Sequence, residues 1–326
     1  MERTRLTKGR IWLNRISVAL AVLTVALIAY GGLVHSAGAG LSVPDWPTTY
    51  GENMFTYPIE KWTGGIVYEH GHRLLASGIG FLMIIVTVWL WVADSRKWLK
   101  WLGTAALLAV VIQGVLGGLT VLMRLPTAVS VSHAMLAQGF LIMTVVIAMA
   151  TSKTWVEGAP KKEVSASKSL RGLIFATFAF TFVQILLGAI TRHTYSGLAI
   201  PDFPLAMGGL VPEFSSFNVG LHFAHRVGAA ILGTLVVIQG VKVLKNKELK
   251  LLHAPSLWLL VMIGVQILLG GTVIWTREAI VPNTLHVAGG AIIFALTAMV
   301  YFRARRFYEF QSPAAGEEVQ LHGVRA

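Results

Sequence analysis

Apolar residues fall into eight stretches, each about as long as the roughly 20 residues that a bilayer-crossing helix needs. They run from Ile16 to Val34, Ile66 to Trp91, Trp101 to Met123, Ala128 to Ala150, Leu170 to Thr191, Val219 to Val241, Ala254 to Trp275 and Val281 to Phe302. Short polar connections separate them. The pattern predicts an all-α membrane protein of eight transmembrane helices. With 55% hydrophobic and 13% charged residues and a mean hydropathy of +0.68, the chain carries more apolar side chains than a soluble core uses. The first stretch has full spanning length and lacks a small-residue cleavage site, so it reads as helix one and not as a removed signal peptide.

The net charge of +12 does not mark a nucleic-acid partner, because the cations alternate by connection and do not cover one soluble face. Arg3, Arg5, Lys8, Arg10 and Arg15 precede the first span, and Arg96, Lys97 and Lys100 fill the second connection. Lys153, Lys161, Lys162, Lys168 and Arg171 fill the fourth, and Lys242, Lys245, Lys247 and Lys250 the sixth. Arg303, Arg305 and Arg306 follow the last span, while the other connections hold almost only Lys61, Arg124, Arg192 and Arg277. The positive-inside rule then places both termini in the cytoplasm and the odd-numbered connections outside. The chain has no cysteine, which excludes disulfides, thiolate-held haem, iron–sulfur clusters and thiol catalysis.

The chain repeats itself. Pro44-Asp45-Trp46-Pro47 returns as Pro201-Asp202-Phe203-Pro204, an offset of 157 (201 minus 44). Glu69-His70-Gly71-His72-Arg73 aligns with His222-Phe223-Ala224-His225-Arg226, Gln113 with Gln266, Gly117-Gly118 with Gly270-Gly271, and His133 with His286. These share an offset of 153 (225 minus 72, and 286 minus 133). Four spans per half give the halves the same orientation, as a parallel repeat about an axis along the membrane normal. The expected organisation is an N-terminal half over 1–150, a cytoplasmic linker over 151–170, a C-terminal half over 171–306, and a polar tail over 307–326 that frays after Arg306.

In each half the second and fourth spans carry one histidine each, His72 with His133 and His225 with His286, at similar depths and on helices of the same direction. Such a pair can hold an iron porphyrin between two imidazoles. A lone intramembrane histidine is as well explained by a hydrogen bond to its neighbour; four at repeat-related positions favour ligation, because ionisable groups are costly there. Arg73 and Arg226, directly after two of these histidines, are candidates for pairing with haem propionates instead of merely snorkelling. The Gly-Gly pairs admit a close approach of helices or of a flat macrocycle, and packing alone would also account for them. The remaining histidines are weaker candidates: His35 and His193 lie at the outer ends of the first and fifth spans and His70 within the first motif, while His253 and His322, on the inside, carry no role. The break in the repeat is Glu69 opposite His222. It is either an interfacial charge favoured by the helix dipole or a carboxylate aimed at the macrocycle edge that makes the two sites chemically different.

GLSVPDWP, EHGHR, QGVLGGLTV, VSHAMLAQ, LAIPDFP, HFAHR and TLHVAGG, in this order from the first to the last span, resemble the haem A synthase family. The resemblance implies an oxidoreductase of a prokaryotic plasma membrane, with active sites toward the outer face, that oxidises the C8 methyl of haem O to a formyl by successive hydroxylations. It implies Glu69 as the catalytic residue, His72 and His133 as ligands of substrate haem O, and His225 and His286 as ligands of a haem b cofactor. The haem O synthase that supplies the substrate is then an expected partner, and a homo-oligomer is compatible with the sequence. Many bacterial members carry cysteine pairs in the first and third outer loops, so this chain is similar to a cysteine-free branch. Two rivals are a quinol-linked di-haem cytochrome b, which needs the four histidines but no lone Glu69, and a repeat-built transporter, which needs midplane polar residues and broken helices.

Overall fold

The computed structural model describes residues 8–158, 160–166 and 168–311. Arg3, Arg5, His322 and the tail from residue 312 lie outside them. Eight helices are long and apolar enough to cross a membrane: α1 (Lys8–Ser36), α2 (Gly65–Ala93), α3 (Lys97–Leu122), α4 (Thr127–Thr151), α6 (Lys168–His193), α7 (Phe217–Lys245), α8 (Lys250–Trp275) and α9 (Ile280–Phe307). A ninth among the described residues, α5 (Lys153–Val156), is one short turn. Several spans outrun their apolar stretches because flanking polar residues continue the helix. Thus α1 begins at Lys8, and α9 runs on through Arg303, Arg305 and Arg306. Backbone groups at that depth bond within the helix whatever their side chains, and long cationic side chains reach outward to water.

In the first half α1 and α3 each pack on both α2 and α4, which therefore stand at opposite corners of a ring. In the second half α6 and α8 do the same for α7 and α9. The halves meet where α1 and α4 pack on α9, and α4 on α6. Leu13, Leu20, Ile79, Met83, Leu90, Leu99 and Ile147 are fully buried in the first half, and Asn14 ties α1 to α4 by donating to Ala148 O (2.8 Å) and Thr151 Oγ1 (3.0 Å). Val22, Phe81, Trp101, Leu108 and Leu268 point outward and are exposed. This apolar exterior suits lipid, where helix association rests on close packing and hydrogen bonds more than on burial of apolar surface.

On the basic side, β1 (Lys162–Ser165) from the inter-half segment pairs in parallel with β2 (Tyr308–Gln311), in the register Lys162 with Tyr308 to Ser165 with Gln311. The tail expected to fray after Arg306 is thus ordered at its start. Tyr308 and Phe310 alternate with polar residues, and both are buried together with Val164 against Leu170, Leu249 and Leu252. An alternating tetrapeptide forms a strand once a partner edge is at hand.

Candidate functional site

All four paired histidines lie at the end of the bundle away from the basic connections. His72 is the eighth residue of α2, His133 the seventh of α4, His225 the ninth of α7 and His286 the seventh of α9. At about 1.5 Å rise per residue, each sits roughly 9–12 Å from its helix start. The His225 and His286 rings are 6.5 Å apart between centroids and inclined at 76°. Two metal–imidazole bonds of about 2 Å, plus the half-widths of the two rings, require about 6 Å, so a metal fits between them. His72 and His133 stand on α2 and α4, at opposite corners of the first ring of helices. Imidazole nitrogens of His72, His133 and His286 are buried without a protein partner. In each of these the orphan is Nδ1, the nitrogen that would orient the ring, and two imidazoles per half are the donor type that suits haem iron.

Each ring rests on a glycine of an adjacent helix. A Cβ on Gly31 would stand 3.1 Å from His72 Cε1, on Gly117 3.2 Å from His133 Cε1, on Gly188 3.0 Å from His225 Cε1 and on Gly270 3.3 Å from His286 Cε1. The second glycine of each pair serves a different ring: Gly118 lies under Trp46 and Gly271 under Phe203 of the proline motifs. Of the sequence alternatives for the Gly-Gly pairs, close packing is the one these contacts display. Each pair seats one imidazole and one loop aromatic.

Glutamines hold the histidine-bearing helices. Gln113 Nε2 donates to His133 O and Gln266 Nε2 to His286 O, both at 2.9 Å. Gln184 Nε2 reaches both His225 O (2.8 Å) and His225 Nδ1 (3.0 Å). Leu27 occupies the position of Gln184 in the first half, so His72 Nδ1 has no such anchor. Tyr30 lies beside His72 instead, at 6.0 Å between ring centroids, and donates to Val67 O. The second pair is the more firmly oriented, because a group that fixes an imidazole's second nitrogen fixes its rotation.

The proline motifs fold back over these helix ends. Asp45 accepts from the N–H groups of Tyr50 and Gly51, both at 2.8 Å. Asp202 accepts from Met207 (2.7 Å) and Gly208 (2.8 Å). Gly51 and Gly208 take positive φ, 77° and 79°, which the tight turn needs. Backbone donors from Gly208 and Met207 hold the Asp202 carboxyl below the usual carboxylate range. At Asp45 burial pushes upward, but bonds from Thr48, Gly51 and Tyr50 outweigh it and the net shift is downward.

Arg73 and Arg226 fasten these loops. Arg73 donates from Nη1 to Asp45 O (2.8 Å) and Thr48 O (3.1 Å), and from Nη2 to Val43 O (2.8 Å) and Glu69 Oε1 (2.7 Å). Arg226 reaches Leu205 O and Ile200 O, both at 2.9 Å. Four of Arg73's five donors are thereby used inside the protein. Glu69 is buried and also accepts the Val43 N–H at 2.8 Å. His222 stands in the same place, with Nδ1 3.2 Å from Ile200 N and Nε2 3.2 Å from Arg226 Nε. A neutral imidazole accepts at one nitrogen only, whereas a carboxylate accepts both bonds with about two acceptor sites to spare. Glu69 is the tighter clasp, and the only one of the two able to take a further proton donor.

Three features escaped the sequence reading: the seating glycines Gly31 and Gly188, the anchor Gln184, and Arg192 at the junction of the halves. Gly31 and Gly188 are separated by 157 (188 minus 31), the offset of the proline motif, so a repeat comparison of the first and fifth spans would have found them. Of the remaining histidines, His70 bonds Thr49 and packs on Trp62, His253 bonds Asn246 O, and His35 packs on His193.

Eight membrane-length helices, with half-buried imidazoles at two sets of repeat-related positions, define a polytopic helical membrane protein. The model of the cytochrome oxidase assembly protein family (COX15-CtaA) matches residues 14–298, and the chain belongs to that family. It is similar to the heme A synthase of Halalkalibacterium halodurans, 28% identical over 277 residues that cover 83% of this chain and 89% of the relative. The heme A synthase of Shewanella oneidensis is 27% identical over 335 residues, covering 89% and 96%. That of Symbiobacterium thermophilum is 28% identical over 267 residues, covering 79% and 84%.

Proposed function

We propose that the protein is a haem A synthase, an oxidoreductase that converts haem O to haem A. The observation that carries this reading is the pair of repeat-related histidine sites that differ at one chemical position, Glu69 against His222, in a chain of this family. The halves act as two pseudo-symmetric four-helix bundles in a prokaryotic plasma membrane, with both termini cytoplasmic and the proline-motif loops outside. The lysine and arginine asymmetry supports that orientation.

His225 and His286 hold a haem b, favoured for a permanent group by their spacing and by the Gln184 anchor; when bound, it supplies a one-electron acceptor. His72 and His133 receive haem O, the less anchored pair suiting a ligand that must leave. At the substrate C8 methyl, each hydroxylation consumes one water and releases two protons and two electrons, which leave the protein one at a time to an external electron acceptor. The second yields a geminal diol, which loses water to become the formyl. Glu69 stabilises positive charge developing at that carbon and takes the proton of the attacking water. Its spare acceptor sites allow this while Val43 and Arg73 hold it in place. The test is conversion of haem O to haem A by this chain in a host that makes only haem O.

The seating glycines give a second check. In Gly188→Ala the new Cβ meets the His225 ring at 3.0 Å, tighter than ordinary contact, so the ring must turn. The low-spin haem spectrum should shift or weaken at equal protein level. Gly172→Ala, where a Cβ meets nothing within 4 Å, should leave it unchanged.

A further inference from the structure

Arg192 is the next-to-last residue of α6, at the junction of the two halves. Its Nη2 donates to Gly32 O (2.6 Å) and Ser36 Oγ (2.8 Å) on α1, and its Nη1 lies 3.4 Å from Asn283 Oδ1 on α9. Thr127 of α4 donates to the O of the next residue, His193, at 3.2 Å. The guanidinium thus sits where α1, α4, α6 and α9 converge, and both histidine sites border it. Gly31, adjacent to its acceptor Gly32, seats His72, while Gly32 itself packs on Val287, the residue after His286. Asn283 lies three residues before His286, on the same face of α9. His35, His193 and Tyr195 pack around the junction, with His35 4.9 Å from His193 and 6.0 Å from Tyr195 between ring centroids.

No carboxylate of the described residues forms an ion pair with Arg192; Glu278 acts on it only from longer range. A clasp between helices needs no charge. A Gln or Asn would serve at far lower desolvation cost, and a cation enclosed between helices without a contact ion pair marks a use for its field. Arg73 and Arg226 each stand beside one pair and are fastened to the loops, whereas Arg192 lies at the junction between the two pairs. A fixed positive charge favours the reduced, less positive state of a nearby iron, the more so where water is excluded.

We propose that Arg192 is an electrostatic positioning residue that raises the reduction potential of the haem held by His225 and His286, so that this haem accepts electrons withdrawn at the His72–His133 site. The proposal rests on the assignment of a haem to that pair. The test is a redox titration of the purified, haem-loaded protein, followed in its visible spectrum. Arg192→Gln should keep the bis-histidine spectrum and lower the midpoint potential, and Arg192→Lys should restore most of the shift. Arg277→Gln, which removes an exposed charge after α8, should leave the potential alone, because water and salt screen it. Asn283→Asp serves if Arg192→Gln does not accumulate: it keeps every bond of the clasp, sets a carboxylate against the guanidinium, and should also lower the potential. An unchanged potential in Arg192→Gln or in Asn283→Asp, or a value in Arg192→Lys as low as in Arg192→Gln, overturns the proposal. Absence of haem from the unaltered protein would instead overturn the assignment on which it rests.

Discussion

Glu69→Gln is expected to bind haem and to lose conversion of haem O to haem A by about 10² or more, with haem O or its hydroxymethyl product accumulating on the protein. The substitution keeps the shape of the side chain, and its amide oxygen still accepts from the Val43 N–H or from Arg73. It removes the negative charge and the basicity. Breaking a buried ion pair can cost about 3–5 kcal/mol when it strands a charge, but Arg73 retains three carbonyl acceptors, so the loop should stay seated. His222→Gln is the matched control, since His222 meets the equivalent loop N–H and the equivalent arginine. If both side chains are only clasps, both substitutions lose equal activity. If Glu69 does the chemistry, His222→Gln keeps most of it. The measurement is the haem composition of both variants at equal protein level, and unimpaired haem A from Glu69→Gln would remove Glu69 from the mechanism.

His225→Leu and His286→Leu should each abolish or strongly perturb the low-spin haem signal of the purified protein. Even loss of a group that merely orients a ligand costs about 10–100-fold in metal affinity, and loss of the ligand itself should cost at least as much. Leucine fills most of the ring's volume, so the packing against Gly188 or Gly270 is largely kept and the effect reports ligation more than collapse. His133→Leu should spare the resident signal and abolish conversion. Haem content by absorbance, set against protein by mass, separates the cases. A full low-spin signal in His225→Leu would mean that another pair holds the resident haem.

Much of this was legible in the sequence because lipid leaves few options. A span must satisfy its own backbone, so an apolar stretch of sufficient length becomes a helix, and all eight formed. The four histidines were legible because the repeat singled them out against an apolar background. The loop contacts of Arg73 and Arg226 were not. Beside a candidate ligand, a guanidinium reads as a partner for a haem carboxylate, but its acceptors are loop carbonyls some 20 to 30 residues earlier in the chain. Spacing says nothing of a loop that folds back. The same holds for Gly118 and Gly271, whose partners Trp46 and Phe203 belong to those loops. The equivalence of Glu69 and His222 was visible as a repeat break, yet that both meet the same backbone N–H appears only in three dimensions. Arg192 ends a span, where an arginine ordinarily reads as an interfacial anchor, and only the packing of the halves encloses it. The strand at Tyr308–Gln311 was hidden because four residues cannot declare a strand without their partner.

The most direct test of haem A synthase activity is chromatography of the haems extracted from a host that makes haem O and no haem A, with and without this chain. Haem A should appear only with the chain, preceded in time by the hydroxymethyl intermediate, and should disappear in Glu69→Gln. Protein that carries its haem b while haem O remains wholly unconverted, in cells with an active respiratory chain, would contradict the account and leave a di-haem cytochrome in its place.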